Sequence, residues 1–212
     1  MRELYERLMH FYGPQNWWPA ETPFEVVVGA VLTQNTAWRN VERAIGNLKR
    51  EGILDPRSIL ETPDDVLREL VRPAGFYNQK VQRLKAVCRL IAGYNGLEEL
   101  FKLPLDRLRS VLLSVKGIGP ETADAIILYA ANKPIFVVDR YTHRVFTRLG
   151  IWEGRYDYEG IKRMVESEIP PRVDVYKEFH ALIDEHAKRI CRKRPFCGSC
   201  PLGRECPRHG VG

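Results

Sequence analysis

The stretch Leu113-Ser114-Val115-Lys116-Gly117-Ile118-Gly119-Pro120-Glu121-Thr122-Ala123-Asp124-Ala125 decides how this chain is read. Two glycines flank one aliphatic residue between two segments of helical periodicity, and Pro120 stands where a first helical residue tolerates losing its N–H. The pattern predicts a helix, a hairpin and a second helix over roughly residues 110–131. Backbone N–H groups at such a turn and at the start of the second helix lack intrahelical partners and point outward, an anion site suited to phosphate. Lys116 adds positive charge there, so Lys116, Gly117 and Gly119 are candidate phosphate contacts.

Downstream, Phe136-Val137-Val138 forms an apolar step that delivers Asp139 to the start of a further helical pattern, Arg140 to Leu149. A carboxylate in that position is either a helix N-cap or a catalytic group held at a buried junction. Residues 157–168 and 173–190 continue in helical register, the second with Val175, Phe179, Leu182, Ile183 and Ile190 on its apolar face.

Upstream, residues 1–12 place Leu4, Leu8 and Phe11 at helical spacing, and Gly13-Pro14 ends the segment. Gln15-Asn16-Trp17-Trp18-Pro19 follows as a loop. Thr22-Pro23 reads as N-cap and first helical residue of an apolar helix from Phe24 to Leu32, which ends in Thr33-Gln34-Asn35-Thr36-Ala37-Trp38. A helix with Val41, Ile45 and Leu48 inward is expected next, closed by Gly52. Thr62-Pro63-Asp64-Asp65 reads as another helix start, and a long helix is expected over residues 78–92, with Cys88 as a small core residue. Shorter helices are expected at 97–102 and 104–113. No segment shows sustained strand alternation, so the fold class is all-α.

Four of the five cysteines, Cys191, Cys197, Cys200 and Cys206, fall within sixteen residues as C-x5-C-x2-C-x5-C. Such crowding favours metal ligation over a disulfide framework; four thiolates can surround one zinc or hold a cubane iron–sulfur cluster, and spacing does not separate these. No apolar run approaches the ~20 residues that cross a membrane, and Met1-Arg2-Glu3-Leu4-Tyr5-Glu6 does not read as a signal peptide. A soluble cytoplasmic protein is expected. Lys and Arg total 33 against 27 Asp and Glu, a net charge of +6, which favours a polyanionic partner without proving one.

The run from Val115 to Ala125, the step into Asp139 and the cysteine cluster together resemble the helix-hairpin-helix DNA glycosylases of the endonuclease III superfamily, over nearly the whole chain. The resemblance implies two helical lobes, one formed by residues 20–131 and the other by 1–19 plus 132–212 with the cluster loop 191–206, and a cleft between them that receives damaged double-stranded DNA. It implies a nucleoid-associated monomer carrying a [4Fe-4S] cluster, although the first cysteine gap is five residues where the family has six, which leaves room for zinc. It makes Asp139 the catalytic aspartate, stabilising the cationic sugar as the N-glycosidic bond breaks. Bifunctional members carry a lysine two positions after the second hairpin glycine, where this chain has Glu121; without that amine no Schiff base forms, so a monofunctional enzyme that leaves an abasic site is expected.

Trp17-Trp18-Pro19, Gln34 with Trp38, and the block Arg72 to Lys80 narrow the resemblance to the 3-methyladenine DNA glycosylase branch. There a tryptophan of the first motif and the aromatic at Trp38 sandwich the flipped base, with Glu121 in the same pocket. Indole faces suit a purine made cationic by alkylation. The bland alternative makes these tryptophans packing residues. Gln34 stands where the family inserts a polar side chain into the gap left by the flipped nucleotide; it reads equally as a helix-end cap. The rival functions are excision of uracil, mismatched thymine or oxidised pyrimidines, and a DNA-binding module without catalysis.

Overall fold

The computed structural model describes residues 1–17 and 20–211. Among them the regular elements are all helical and no strand occurs. It divides into two units, Trp18–Lys133 and Met1–Trp17 with Pro134–Gly212.

The continuous unit begins with α2 (Pro23–Leu32), following α1 (Arg2–Tyr12) of the other unit, and runs through α3 (Trp38–Arg50), α4 (Pro56–Glu61), α5 (Asp64–Val71), α6 (Tyr77–Gly93), α7 (Leu97–Phe101), α8 (Leu105–Leu113) and α9 (Pro120–Ala125). Thr22 caps α2 by accepting from the Glu25 amide at 3.1 Å, and Pro23 takes the first helical position. Every residue of α2 from Phe24 to Leu32 is buried, so this helix is the axis of its core, against α3, α6 and the hairpin's second limb.

Two local readings of the sequence are corrected here. Residues 56–61 form a helix that the sequence pattern was not read to contain; Asp55 caps it through the Ser58 amide at 3.0 Å. Thr62 consequently ends α4, its hydroxyl donating to the Ser58 carbonyl, and does not cap α5, whose N-cap is Pro63. The hairpin's second limb is also not a plain α-helix: α9 passes at Ile126 into a π turn, Ile126–Ala130, all of it buried.

The discontinuous unit consists of α1 with α10 (Arg140–Arg148), α11 (Tyr158–Glu168) and α12 (Val173–Arg189). Its core gathers Leu8, Phe136, Phe146, Tyr176 and Phe179, each at most 1% exposed. The four residues 135–138 are extended and buried, and the Phe136 amide is satisfied by Glu166 Oε1 at 2.8 Å. Arg144 binds α10 to the end of α12, donating to the carbonyls of Ala187 and Cys191, both at 2.9 Å.

Candidate active site and nucleic-acid interface

Asp139 is a helix N-cap and something more. Its Oδ1 accepts from the Thr142 amide at 2.7 Å and the Thr142 hydroxyl at 2.9 Å, while that hydroxyl accepts from the Asp139 amide, a complete capping box on α10. With one oxygen fixed, the other faces His180 on α12, Oδ2 lying 4.0 Å from Nε2. The Asp139 side chain is 17% exposed: held, partly desolvated, and still reachable.

His180 begins a polar stripe, His180, Asp184 and Lys188, spaced four apart on one face of α12. Burial pulls the His180 imidazole down and pushes the Asp184 carboxyl up, and Lys188 opposes the latter by ion-pairing with Asp184. Half-buried Trp17 joins this group, its ring 5.4 Å from that of His180 and its face 5.5 Å from the Lys188 ammonium. Tyr141 offers Lys188 a second face at 5.8 Å. Trp17 and Asp139, 122 residues apart in sequence, thus share His180 as a neighbour. Trp18 lies outside the described residues.

In the other unit the hairpin is built around a reverse turn in which the Ile118 amide donates to the Val115 carbonyl at 3.0 Å. Gly117 has φ +90°, and a Cβ there would fall 2.6 Å from Arg83 Nε, whose side chain crosses the turn. Gly119 differs: its φ is −93°, and a Cβ would meet nothing within 4 Å. It is the N-cap of α9 with no side-chain cap, so the first amides of α9 have no capping group of their own. The two limbs are fixed by a fork, Arg109 Nε and Nη2 donating to the carboxylate of fully buried Asp124 at 2.7 and 3.2 Å.

Gln34 is folded back onto this hairpin. Its Nε2 donates to the Gly117 carbonyl at 3.1 Å and the Thr122 hydroxyl at 2.9 Å, and its Oε1 accepts from Arg83 Nη1. Lys116 is exposed beside it, and with Arg83, Arg89, Asn78, Gln79 and Gln82 lines a basic groove. Glu121 is exposed on the first turn of α9. Trp38 is half-buried at the start of α3 and donates to Glu42 Oε1 at 2.9 Å.

All four clustered cysteines line a single cavity, whose other walls include Arg148, His186 and Ile190. Burial first, and then the neighbouring thiols, push the Cys200 thiol up. Among the described residues no three His, Cys, Asp or Glu side chains converge as a single ion requires. Buried Arg148 donates to the carbonyls of Cys191, Arg192 and Lys193, fixing the loop's first residues.

Sequence reading missed His180, Asp184, Lys188, Arg83 and Arg109. The first three carried a signal: polar residues at a spacing of four that alternate with the apolar positions Phe179, Leu182 and Ile183 of α12. Phe76 is 61% exposed with φ +45°, a conformation costly for a bulky residue, at the rim of α6. Arg83 and Arg109 carried none, since charged residues at helical spacing usually face solvent.

Comparison with known proteins adds the following. The model of the HhH-GPD superfamily of base excision DNA repair proteins matches residues 28–171. A Methanocaldococcus jannaschii protein named as a candidate DNA repair glycosylase is 52% identical over 207 residues, 96% of this chain and 94% of its own. Endonuclease III of Thermotoga maritima is 30% identical over 200 residues, 90% of this chain and 86% of its own. The solved structure of the H. pylori 3-methyladenine DNA glycosylase bound to 1,N6-ethenoadenine aligns with a TM-score of 0.78 at 32% identity, covering 88% of this chain and 96% of that one. An endonuclease III–DNA complex aligns with a TM-score of 0.85 at 23% identity, over 98% of this chain and 94% of that one, a likeness of fold.

Proposed function

Because the chain belongs to the HhH-GPD superfamily of base excision DNA repair proteins and is a DNA glycosylase of that superfamily, we propose that it is monofunctional and releases alkylated purines such as 3-methyladenine from duplex DNA. The observation that carries this reading is the grouping of Asp139, His180 and Trp17: a fixed carboxylate and an indole that share His180 as a neighbour, the indole face already receiving a cation. N3- or N7-alkylation makes a purine cationic, which strengthens stacking on indole and weakens the glycosidic bond.

As the bond to C1′ breaks, positive charge grows on the sugar. Asp139 Oδ2, with Oδ1 held by Thr142, is the group that stabilises it or orients the attacking water. The electron pair of the bond leaves with the base, and water supplies the hydroxyl at C1′. Glu121 on the first turn of α9 cannot form a Schiff base, and Lys188, two helical turns along α12 from His180, is engaged as a cation by Asp184, Trp17 and Tyr141. Trp18, Trp38 and Glu121 are the further residues that this reading assigns to base binding.

The hairpin amides at Gly117 and Gly119, with Lys116, take DNA phosphates. Gly119 supports this: nothing inside the unit excludes a side chain there, whereas close approach of a phosphate would. Gln34 fills the gap left by the flipped nucleotide once released from the Gly117 carbonyl.

Cys191, Cys197, Cys200 and Cys206 would hold a [4Fe-4S] cluster. That all four thiols line one cavity, at a spacing close to that of the family, supports this reading. When bound, the cluster cross-links the loop and fixes Arg192, Lys193, Arg194 and Arg204 as a basic surface.

The test is base release from methylated duplex DNA, with strand nicks scored before and after alkali. Release of 3-methyladenine with nicks only after alkali is expected. The names of relatives favour a second reading: endonuclease III of Thermotoga maritima, and a thymine-DNA glycosylase of Aeropyrum pernix at 28% identity. Activity confined to mismatched thymine, uracil or oxidised pyrimidines would select it, and a covalent adduct trapped by borohydride would overturn the monofunctional assignment.

A further inference from the structure

One wall of the cysteine cavity is an imidazole. His186, on α12 five residues before Cys191, is 1% exposed. Its Nε2 lies 3.8 Å from Cys200 Sγ, and its Nδ1 lies 2.9 Å from the hydroxyl of Tyr12 at the end of α1. The Arg189 guanidinium covers the Tyr12 ring, 5.6 Å from its centroid. None of these groups has a part in base release.

We propose that His186 is a positioning residue for the metal group held by the four cysteines, donating from Nε2 to the Cys200 thiolate, with Tyr12 fixing that tautomer by donating its hydroxyl to Nδ1. The inference rests on the reading of the cavity as a cluster site. A ligating cysteine is a thiolate and can only accept. A neutral imidazole has one N–H and one bare nitrogen, so the nitrogen that faces the thiolate carries the proton and the other accepts. Tyr12 is the donor within hydrogen-bond distance of that second nitrogen.

A hydrogen bond to a ligand sulfur draws electron density from it and favours the more reduced, more negative state of the cluster. His186 therefore raises the reduction potential and protects the cluster from oxidation. The same contact ties α1 to the loop, and Arg7 repeats the tie by donating to the Pro201 carbonyl at 2.9 Å and pairing with Glu205.

The test uses full-length protein purified without air as wild type, His186→Leu, His186→Gln and Tyr12→Phe, with iron and sulfide content, visible absorbance and reduction midpoint measured on each. All four are expected to carry the same iron and sulfide and to release base at the same rate. His186→Leu should have a lower midpoint and bleach several-fold faster in air, Tyr12→Phe should move the same way by less, and His186→Gln, whose amide can donate, should recover toward wild type. An unchanged midpoint in fully loaded His186→Leu overturns the role of His186 and leaves the cluster reading standing. If that variant does not fold, an unchanged midpoint in Tyr12→Phe overturns it instead. Wild-type protein that binds zinc, with no iron or sulfide, overturns the cluster reading itself, and this inference with it.

Discussion

Helices α9 and α10 both begin after a short non-helical step, and their first turns are finished in opposite ways. At α10 the chain supplies its own cap, and Asp139 and Thr142 satisfy one another. At α9 the N-cap is Gly119, which has no side chain to offer. One helix start is closed and so holds a carboxylate still; the other is open, and in the proposed function it takes a DNA phosphate. A catalytic group must be fixed before the substrate arrives, whereas a phosphate grip needs donors left unspent.

The strongest way to break this contrast is Asp139→Asn. Asparagine keeps a capping oxygen, so the fold should survive, while single-turnover base release should fall by roughly 10²–10³-fold, about 3–4 kcal/mol. A small effect would reduce Asp139 to a cap.

A buried charge near the hairpin sharpens it next. Lys80 is fully buried and donates to the Ala74 carbonyl at 2.7 Å; burial first, and Arg83 second, pull its pKa down from 10.5 to about 8. Below pH 8 it is protonated folded and unfolded alike, and the folded state bears the full burial cost. Between about 8 and 10.5 the unfolded chain binds the extra proton, so stability rises with pH, by at most about 3 kcal/mol. Chemical denaturation across that window, wild type against Lys80→Met, should show this rise in wild type and its loss in the variant.

Replacing the two hairpin glycines by alanine separates internal from external demands. Gly117→Ala puts Cβ against Arg83 at positive φ and should cost about 1–3 kcal/mol of stability together with DNA affinity. Gly119→Ala should leave stability within about 0.5 kcal/mol and, if a phosphate approaches as proposed, still weaken DNA binding. Equal thermal midpoints for the two variants would remove the distinction.

The smallest effect belongs to Lys116→Ala. Affinity should drop a few-fold for every DNA sequence, and the slope of log affinity against log salt should shrink by about one.

Most of the helices and the hairpin were legible because their signals are local: Thr22-Pro23, the apolar stripe of α3, and the paired glycines. Pro56–Glu61 was passed over because Thr62-Pro63 is the more familiar start, yet Asp55-Pro56 offers the same chemistry one helix earlier. The π turn at Ile126–Ala130 has no signature in an apolar run, since α and π spacing bury the same residues. At the site, residue types and spacing pointed to Asp139 and the four cysteines, but not to what touches them.

The sequence by itself determined an all-α chain, an open hairpin, a capped aspartate and a four-thiol loop, because periodicity, caps and ligand spacing act over a few residues. Only the tertiary structure decided that His180 faces Asp139, that Arg83 and the hairpin hold Gln34, and that His186 stands between Tyr12 and Cys200. Those pairings join residues from 14 to 174 positions apart, and only the packing of the helices sets which distant side chains are brought within reach of one another.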